Sequence, residues 1–453
     1  MVGCDPWMAL IARGDRIEWR TSAATHRWRA HPLDALRALL RRYRAAPGQP
    51  FAPAVGLMGW LSYELNRWIE RLPPPRAEEH GLPEMGWYGM RVTLLVDHRH
   101  QRSWVASVVD PHRPSSLAQH EADNALQRII DQWRDLCQVP EGMARADALD
   151  DPPSWPSQTP LRATMTQPAF EAMVARALEF IRAGDIFQAN LSHSFTMPWT
   201  APRWPLYQAL RRINPSPFAC FLSVGPELAV ISASPERLVR VRDGRVDTRP
   251  IAGTRPRGTT PAEDAMQSLD LLLSEKERAE HVMLVDLARN DLGRVCAMGS
   301  VRVEEFMTVE EYSHVQHLVS NVSGMLRPGA DAVDVIRSLF PGGTITGCPK
   351  VRCMQIIRDV EPVPRGLYTG SLGYVGFDGT MDLNIAIRTM VIQGRRLSLH
   401  VGAGIVADSQ PDREYQETLA KAAALMHALR HVSGSSRTAN QRPRVPVAFH
   451  AGS

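Results

Sequence analysis

Apolar residues recur every three to four positions through HPLDALRALLRRY (31–43), and that spacing predicts an amphipathic helix. The run MRVTLLVD (90–97) predicts a strand, with a Gly- and aromatic-rich segment, GLMGWLSYELNRW (56–68), between the two. A second helix is expected over 168–183. From about 165 to 431, short apolar strands such as FACFLSV, ELAVISA and LSLHVGAGIV alternate with helices, and no fixed-period repeat is present. The pattern is that of a mixed α/β protein. It divides into a supporting lobe over 1–150, a connection over 151–164 that contains the Pro- and Ser-rich DPPSWPSQTP, a second lobe over 165–431 and a polar tail over 432–453.

Composition narrows the class. With 44% hydrophobic and 22% charged residues, the 453-residue chain is ordinary for a globular protein, and a large interleaved fold could absorb most of it. The net charge of +4 is a small remainder between 52 basic and 48 acidic residues, partly in the tail, so nucleic acid is excluded as the main partner. The six cysteines form no CxxC pair, which fits a reducing cytoplasm. No leader-like start and no apolar run of membrane-spanning length is found, so neither export nor membrane insertion is expected.

Two segments pair carboxylates at helical spacing. A helix beginning near Ser274 reads EKERAEHVMLVDLARNDLGR and is expected to be buried, because Val282, Met283, Leu284, Val285 and Leu287 make most of its circumference apolar. Glu277 and Glu280 share one face, and Ser274 with Glu277 forms an S-x-x-E capping box. A second helix follows Pro411 and reads DREYQETLAKAAALMHAL, where Glu414, Glu417 and Lys421 fall on one stripe about 60° wide. Taken alone, that stripe is a solvated Glu/Lys face. If the two E-x-x-E faces meet, four carboxylates require a hard cation or protonation, and Mg2+ suits an oxygen-only site better than zinc does.

These helices and the segments between them resemble the chorismate-utilising family of anthranilate, aminodeoxychorismate, isochorismate and salicylate synthases. The resemblance runs through SASPERLV, PIAGTRPRG, KERAEHVMLVDLARNDLGRV, HLVSNVSG, FPGGTITGCPKVR, GSLGYVGFDGTMDLNIAIRT, GAGIVADS and EYQETLAKAAAL, over residues 165 to 431, and more weakly over 55 to 70. It implies two facing antiparallel sheets wrapped by helices, and a Mg2+ ion that holds the ring carboxylate of chorismate. Glu280 and Glu417 are then implied as direct ligands, with Glu277 and Glu414 behind them or acting through water.

The resemblance also implies roles for single residues. Arg388 would clamp the enolpyruvyl carboxylate with its planar fork, whereas an arginine in such a β-like run would otherwise be a surface residue. Gly402 and Gly404 would let backbone N–H groups approach an anion. Glu236 would be the general acid for the departing 4-hydroxyl, which requires a raised pKa, and His317 would lie at the reacting ring. His314, close in sequence, has no assigned role and serves as its control. Thr344 and Tyr368 would position substrate and Lys421 would offset the carboxylates, with core packing or solvation as the plain alternative for each.

At the position where the water-using members carry a lysine base stands Gln188, a neutral amide that cannot take a proton, which points to ammonia as nucleophile. Many aminodeoxychorismate synthases carry an adduct-forming lysine where this chain has Ala252. The chain therefore uses ammonia directly, borrows another group, or belongs with the anthranilate synthases, toward which KERAEHVMLVDLARND and YSHVQHLVSNVSG also lean. FPGGTITGCPKVRCMQII, MDLNIAIRTM and the short GLMGWLSYELNRWIE lobe without an LLES segment favour the aminodeoxychorismate branch. No cysteine lies in an amidotransferase-type elbow, so a separate glutamine amidotransferase subunit is expected to supply the ammonia. A chorismate-binding regulatory relative without turnover is the reading of another class.

Overall fold

The computed structural model describes residues 1–45, 55–73, 81–110, 112, 115–137, 161–311 and 315–432. The connection DPPSWPSQTP, the tail after Val432 and His314 lie outside the described residues.

Among the described residues, two antiparallel sheets carry the fold. The larger has thirteen strands, and its main path runs Ile251–Pro256, Val315–Met325, Arg245–Thr248, Arg237–Arg242, Met381–Asn384, Ser371–Gly376, Gly56–Leu61, Met85–Asp97, Val2–Arg13, Arg16–Thr21 and Thr25–Arg29. Strands from the first hundred residues and strands from 237–384 thus share one sheet. The smaller sheet has seven, in the order Gly347–Cys348, Gln188–Pro198, Arg396–Ile405, Thr389–Gln393, Leu228–Ser234 and Phe218–Val224, with Arg162–Ala163 beside Gln188–Pro198.

Period-two alternation explains how the sheets pack. On Val2–Arg13, Met8, Leu10 and Ala12 join the core beneath helices Pro32–Arg42 and Ala332–Leu339, while Ala9 faces the other way. Ala9, Trp60 and Tyr88 of the larger sheet meet Leu228, Val230 and Val391 of the smaller one in a shared apolar layer. Ala229, Ile231 and Ala233 point outward to helices Arg203–Ile213 and Pro411–Val432. Two facing antiparallel sheets wrapped by helices is the architecture expected from the sequence.

The helices begin where local chemistry allows. Gln167–Arg182 opens on Thr166, whose hydroxyl accepts from Ala169 N, with Pro168 in its first turn. Glu275–Gly293 opens on Ser274, whose hydroxyl accepts from Glu277 N at 3.3 Å. Only half of the expected box is seen there, because the Glu277 carboxylate takes a hydrogen bond from Arg255 at 3.1 Å. This helix is also less buried than its apolar content predicts. His281, Leu284, Val285, Asp291 and Leu292 are buried, but Val282 is 49% exposed, because the helix covers the sheet with one face.

Candidate active site

Glu236 follows strand Leu228–Ser234 and is buried. Burial raises its carboxyl pKa to about 7, against the hydrogen bond that Thr344 Oγ1 donates to Glu236 Oε1 at 2.7 Å and against the charges of Arg388 and Lys421. Thr344 is delivered by a single turn, Gly343–Ile345. Arg388 is not in a strand as its sequence context predicts. It sits in a bend with φ 50°, between Met381–Asn384 and Thr389–Gln393, and its carbonyl accepts from Ala233 N at 3.1 Å. A positive φ at arginine is costly, and such strain is a recurrent mark of functional positions. Burial lowers the guanidinium pKa while Glu236 raises it.

His317 enters from Val315–Met325, opposite Thr254. Between Ala252 and Thr254 the register shifts at Gly253, whose φ of 67° turns its carbonyl to His317 Nδ1 at 3.2 Å. A carbonyl only accepts, so Nδ1 carries the proton and Nε2 is the ring acceptor. Burial is the main cause lowering the imidazole pKa, with the Arg388 charge adding to it, so the ring is held neutral. Ala252 is buried opposite Leu318 and offers no reactive group.

The two acidic helices do approach. Burial lifts Glu280 to a pKa of about 7, assisted by the charges of Glu277, Asp408 and Glu417 and opposed by Lys276. Glu414 is raised by burial and by Glu417, is lowered by a Ser409 hydrogen bond, and leaves Oε2 buried without a partner. Lys421 pairs with Glu417 at 2.7 Å and donates to Gly402 O at 3.2 Å, which joins the acidic helix to the small sheet. Among the described residues no three His, Cys, Asp or Glu side chains are already gathered into a metal cage. Half-buried like charges with an orphaned oxygen and an oxygen-only donor set nevertheless fit a hard divalent cation such as Mg2+.

Gly402 and Gly404 lie within Arg396–Ile405, paired to Gln188–Pro198. A Cβ on Gly402 would stand 2.6 Å from Leu191 O and from Tyr368 Oη, and one on Gly404 would stand 2.8 Å from Gln188 Nε2. The space that the missing side chains leave is therefore lined by the protein's own polar groups. Tyr368 stacks on His400 at 5.5 Å and is buried, which raises its pKa.

Continuous contacts or charge couplings thus link Glu236, Thr344, Arg388, His317, Lys421, Glu417, Glu280, Glu277, Gly402 and Tyr368, with Gln188 beside Gly404. Three neighbours were missed in the sequence. Buried Arg365 donates to Glu361, Ile345 O, Thr369 and Asn190 O, while Glu361 accepts from the Ser192 backbone N–H and hydroxyl. This buried ion pair ties the Thr344 turn to the strand that bears Gln188. The third is Asn190, which period-two reading of FQANLS from Gln188 would have found.

Comparison with known proteins places the chain in a family. The family model described as chorismate binding enzyme matches residues 5–427. Anthranilate synthase component 1 of Streptomyces coelicolor is 45% identical over 409 residues, covering 89% of this chain and 78% of that protein. Aminodeoxychorismate synthase component 1 of Bacillus subtilis is 42% identical over 374 residues, covering 83% and 74%. The crystal structure of anthranilate synthase component I from Streptococcus pneumoniae superposes with a TM-score of 0.81 at 32% identity, over 94% of this chain and 91% of that one.

Proposed function

The chain belongs to the chorismate-binding enzyme family, as a chorismate-utilising synthase of the anthranilate and aminodeoxychorismate component I type, and on that premise we propose that it converts chorismate and ammonia to 4-amino-4-deoxychorismate. The observation that carries the chemistry is Glu236, a buried carboxyl with a pKa of about 7 that faces Arg388 and is held by Thr344. A carboxyl so poised is protonated in useful amount near neutral pH and can deliver its proton to a departing hydroxyl. Arg388 offers a planar fork to a substrate carboxylate, and neutral His317 can orient the ring without repelling that fork.

Glu280 and Glu417, with Glu277 and Glu414 behind them, would hold Mg2+, which when bound supplies a countercharge and a Lewis acid for the second carboxylate of chorismate. Gln188 cannot act as a base, so the nucleophile must attack without being deprotonated first, as ammonia does. A separate glutamine amidotransferase subunit would supply that ammonia in the cytoplasm, for a product that feeds 4-aminobenzoate and folate formation.

A second reading, anthranilate as product, is favoured by Ala252, which offers no nucleophile for a covalent adduct, and by the larger number of anthranilate synthases among the similar proteins. Chorismate, Mg2+ and ammonium incubated with the purified protein, with and without an aminodeoxychorismate lyase, separate the two by chromatography and mass spectrometry. 4-Aminobenzoate that appears only with the lyase supports the first, and anthranilate formed without it supports the second.

A further inference from the structure

Thr344 stands on a loop whose two ends are joined by one side chain. Residues 340–349 run from helix Ala332–Leu339 to helix Lys350–Val360, and the single turn Gly343–Ile345 lies between them. Lys350 reaches back across the loop and donates to Leu339 O at 3.3 Å. The same ammonium donates to Asp291 Oδ2 at 2.5 Å, close to the C-terminal end of helix Glu275–Gly293. Ser338 adds a second tie to that helix, its hydroxyl donating to Asp291 O. Both charged side chains are nearly enclosed, Lys350 9% and Asp291 11% exposed.

The turn also rests on the helix. A Cβ on Gly343 would strike the Leu287 side chain, so the backbone lies directly against it, and the Thr346 hydroxyl closes the turn on Gly342 O at 2.9 Å. Space remains beside Thr344. A hollow of about 30 Å³, room for one water, is lined by Glu236, Thr248, Asp291, Leu339 and Thr344, so the ion pair and the acid border the same small space. A turn free to settle into it would draw the Thr344 hydroxyl off Glu236.

We propose that Asp291 and Lys350 are positioning residues, a clamp that holds the Thr344 hydroxyl on Glu236 and so governs how readily the acid gives up its proton, an inference that rests on Glu236 being the proton donor. A buried ion pair adds little stability over apolar residues of the same volume, because both charges lose water to make it. What it supplies here is geometry, since one ammonium meets two acceptors in fixed places at the ends of two helices. The effect on Glu236 runs through Thr344. The charges that act on Glu236 directly are those of Arg388 and Lys421, outside the clamp, while Arg237, which also lines the hollow, is turned to Asp382 and Asp247.

The test is the pH dependence of kcat/KM on the full chain, with saturating Mg2+ and free ammonia held constant. Asp291→Leu combined with Lys350→Met removes the clamp as a pair, so net charge is kept and volume nearly so. Thr344→Val removes the hydroxyl alone. A hydrogen bond to a carboxylate favours its charged form, so its loss raises the pKa. Each variant is expected to move the alkaline limb up from about 7 by about one pH unit, the loss of one hydrogen bond to a charged group. All three substitutions together should move it no further than either set alone, because both remove the same contact. An unmoved limb in the clamp variant, or shifts that add when the sets are combined, would overturn the proposal.

Should the pair variant not fold, Asp291→Asn, the nearest in shape, is read on the same pH series. Loss of a negative charge alone moves the limb down. An upward shift therefore supports the clamp, and a downward or absent shift overturns it. A wild type without an alkaline limb would instead sink Glu236 as the acid, whereas a wild-type limb near 7 that the variants leave in place sinks only the clamp.

Discussion

Thr344 Oγ1 donates to Glu236 Oε1 across 2.7 Å, and this is the direct hydrogen bond on the carboxyl whose pKa burial lifts to about 7. The bond favours the charged form and burial the neutral one, and burial wins, so the acid stays partly protonated near neutrality.

Activity should therefore fall as pH rises through about 7, since the proton donor is lost there. Free ammonia rises over the same range, so the limb is seen when its concentration is held constant while kcat/KM is measured. Glu236→Gln should cost on the order of 10²–10⁴ in kcat. Activity that stays flat from pH 6 to 9 at fixed free ammonia would remove Glu236 from the role.

The same residue predicts a stability trend. The folded state keeps a proton between the ordinary carboxyl value of 4.5 and about 7 that the unfolded chain releases. Stability from this group is thus fully present below about 4.5 and lost as pH rises to about 7, by at most roughly 3 kcal/mol. Glu236→Gln removes the titration, so its melting temperature relative to wild type should rise between pH 5 and pH 8.

Much of this arrangement was legible in sequence, for reasons that are local. Helix Gln167–Arg182 and helix Glu275–Gly293 start where Thr166 and Ser274 offer caps, and the E-x-x-E spacings follow from helical geometry. What was hidden depends on partners far apart in the chain. Nothing near Arg388 announces a positive φ, and nothing near Glu277 announces Arg255. Arg365 reads as a surface residue until Glu361, Ile345 and Asn190 surround it. The thirteen-stranded order is equally nonlocal, since pairing of Gly56–Leu61 with Ser371–Gly376 leaves no trace in either segment.

Arg365 and Glu361 form a fully buried pair with almost every donor and acceptor engaged. Removal of one partner strands the other charge, so Arg365→Leu should lower unfolding free energy by about 3–5 kcal/mol. Urea denaturation measures this directly. A loss below about 1 kcal/mol would mean that water reaches the site and that the pair does not lock the Thr344 turn to the Gln188 strand.

The acidic helices give a prediction with a physical readout. Glu280 is pushed toward protonation partly by Glu277, Asp408 and Glu417, and a divalent cation would relieve that repulsion. Millimolar Mg2+ should raise the melting temperature of the wild type, and Glu417→Gln and Glu280→Gln should abolish the shift along with metal-dependent turnover. A full shift in both variants would place the ion elsewhere.

The two glycines separate space from flexibility. An added methyl at Gly404 meets the end of the Gln188 side chain, which can rotate away, whereas one at Gly402 meets the Leu191 carbonyl and the Tyr368 hydroxyl, both held by the sheet and its packing. Gly402→Ala should cost about 1–3 kcal/mol and shift Tyr368, while Gly404→Ala should leave the fold near wild-type stability. Since Gly404→Ala displaces Gln188, it should raise the KM for ammonium and spare that for chorismate. Calorimetry and two-substrate kinetics on the pair test the arrangement together, and a reversal of the order, with Gly404→Ala the less stable, would contradict the strand geometry on which the nucleophile side of the site depends.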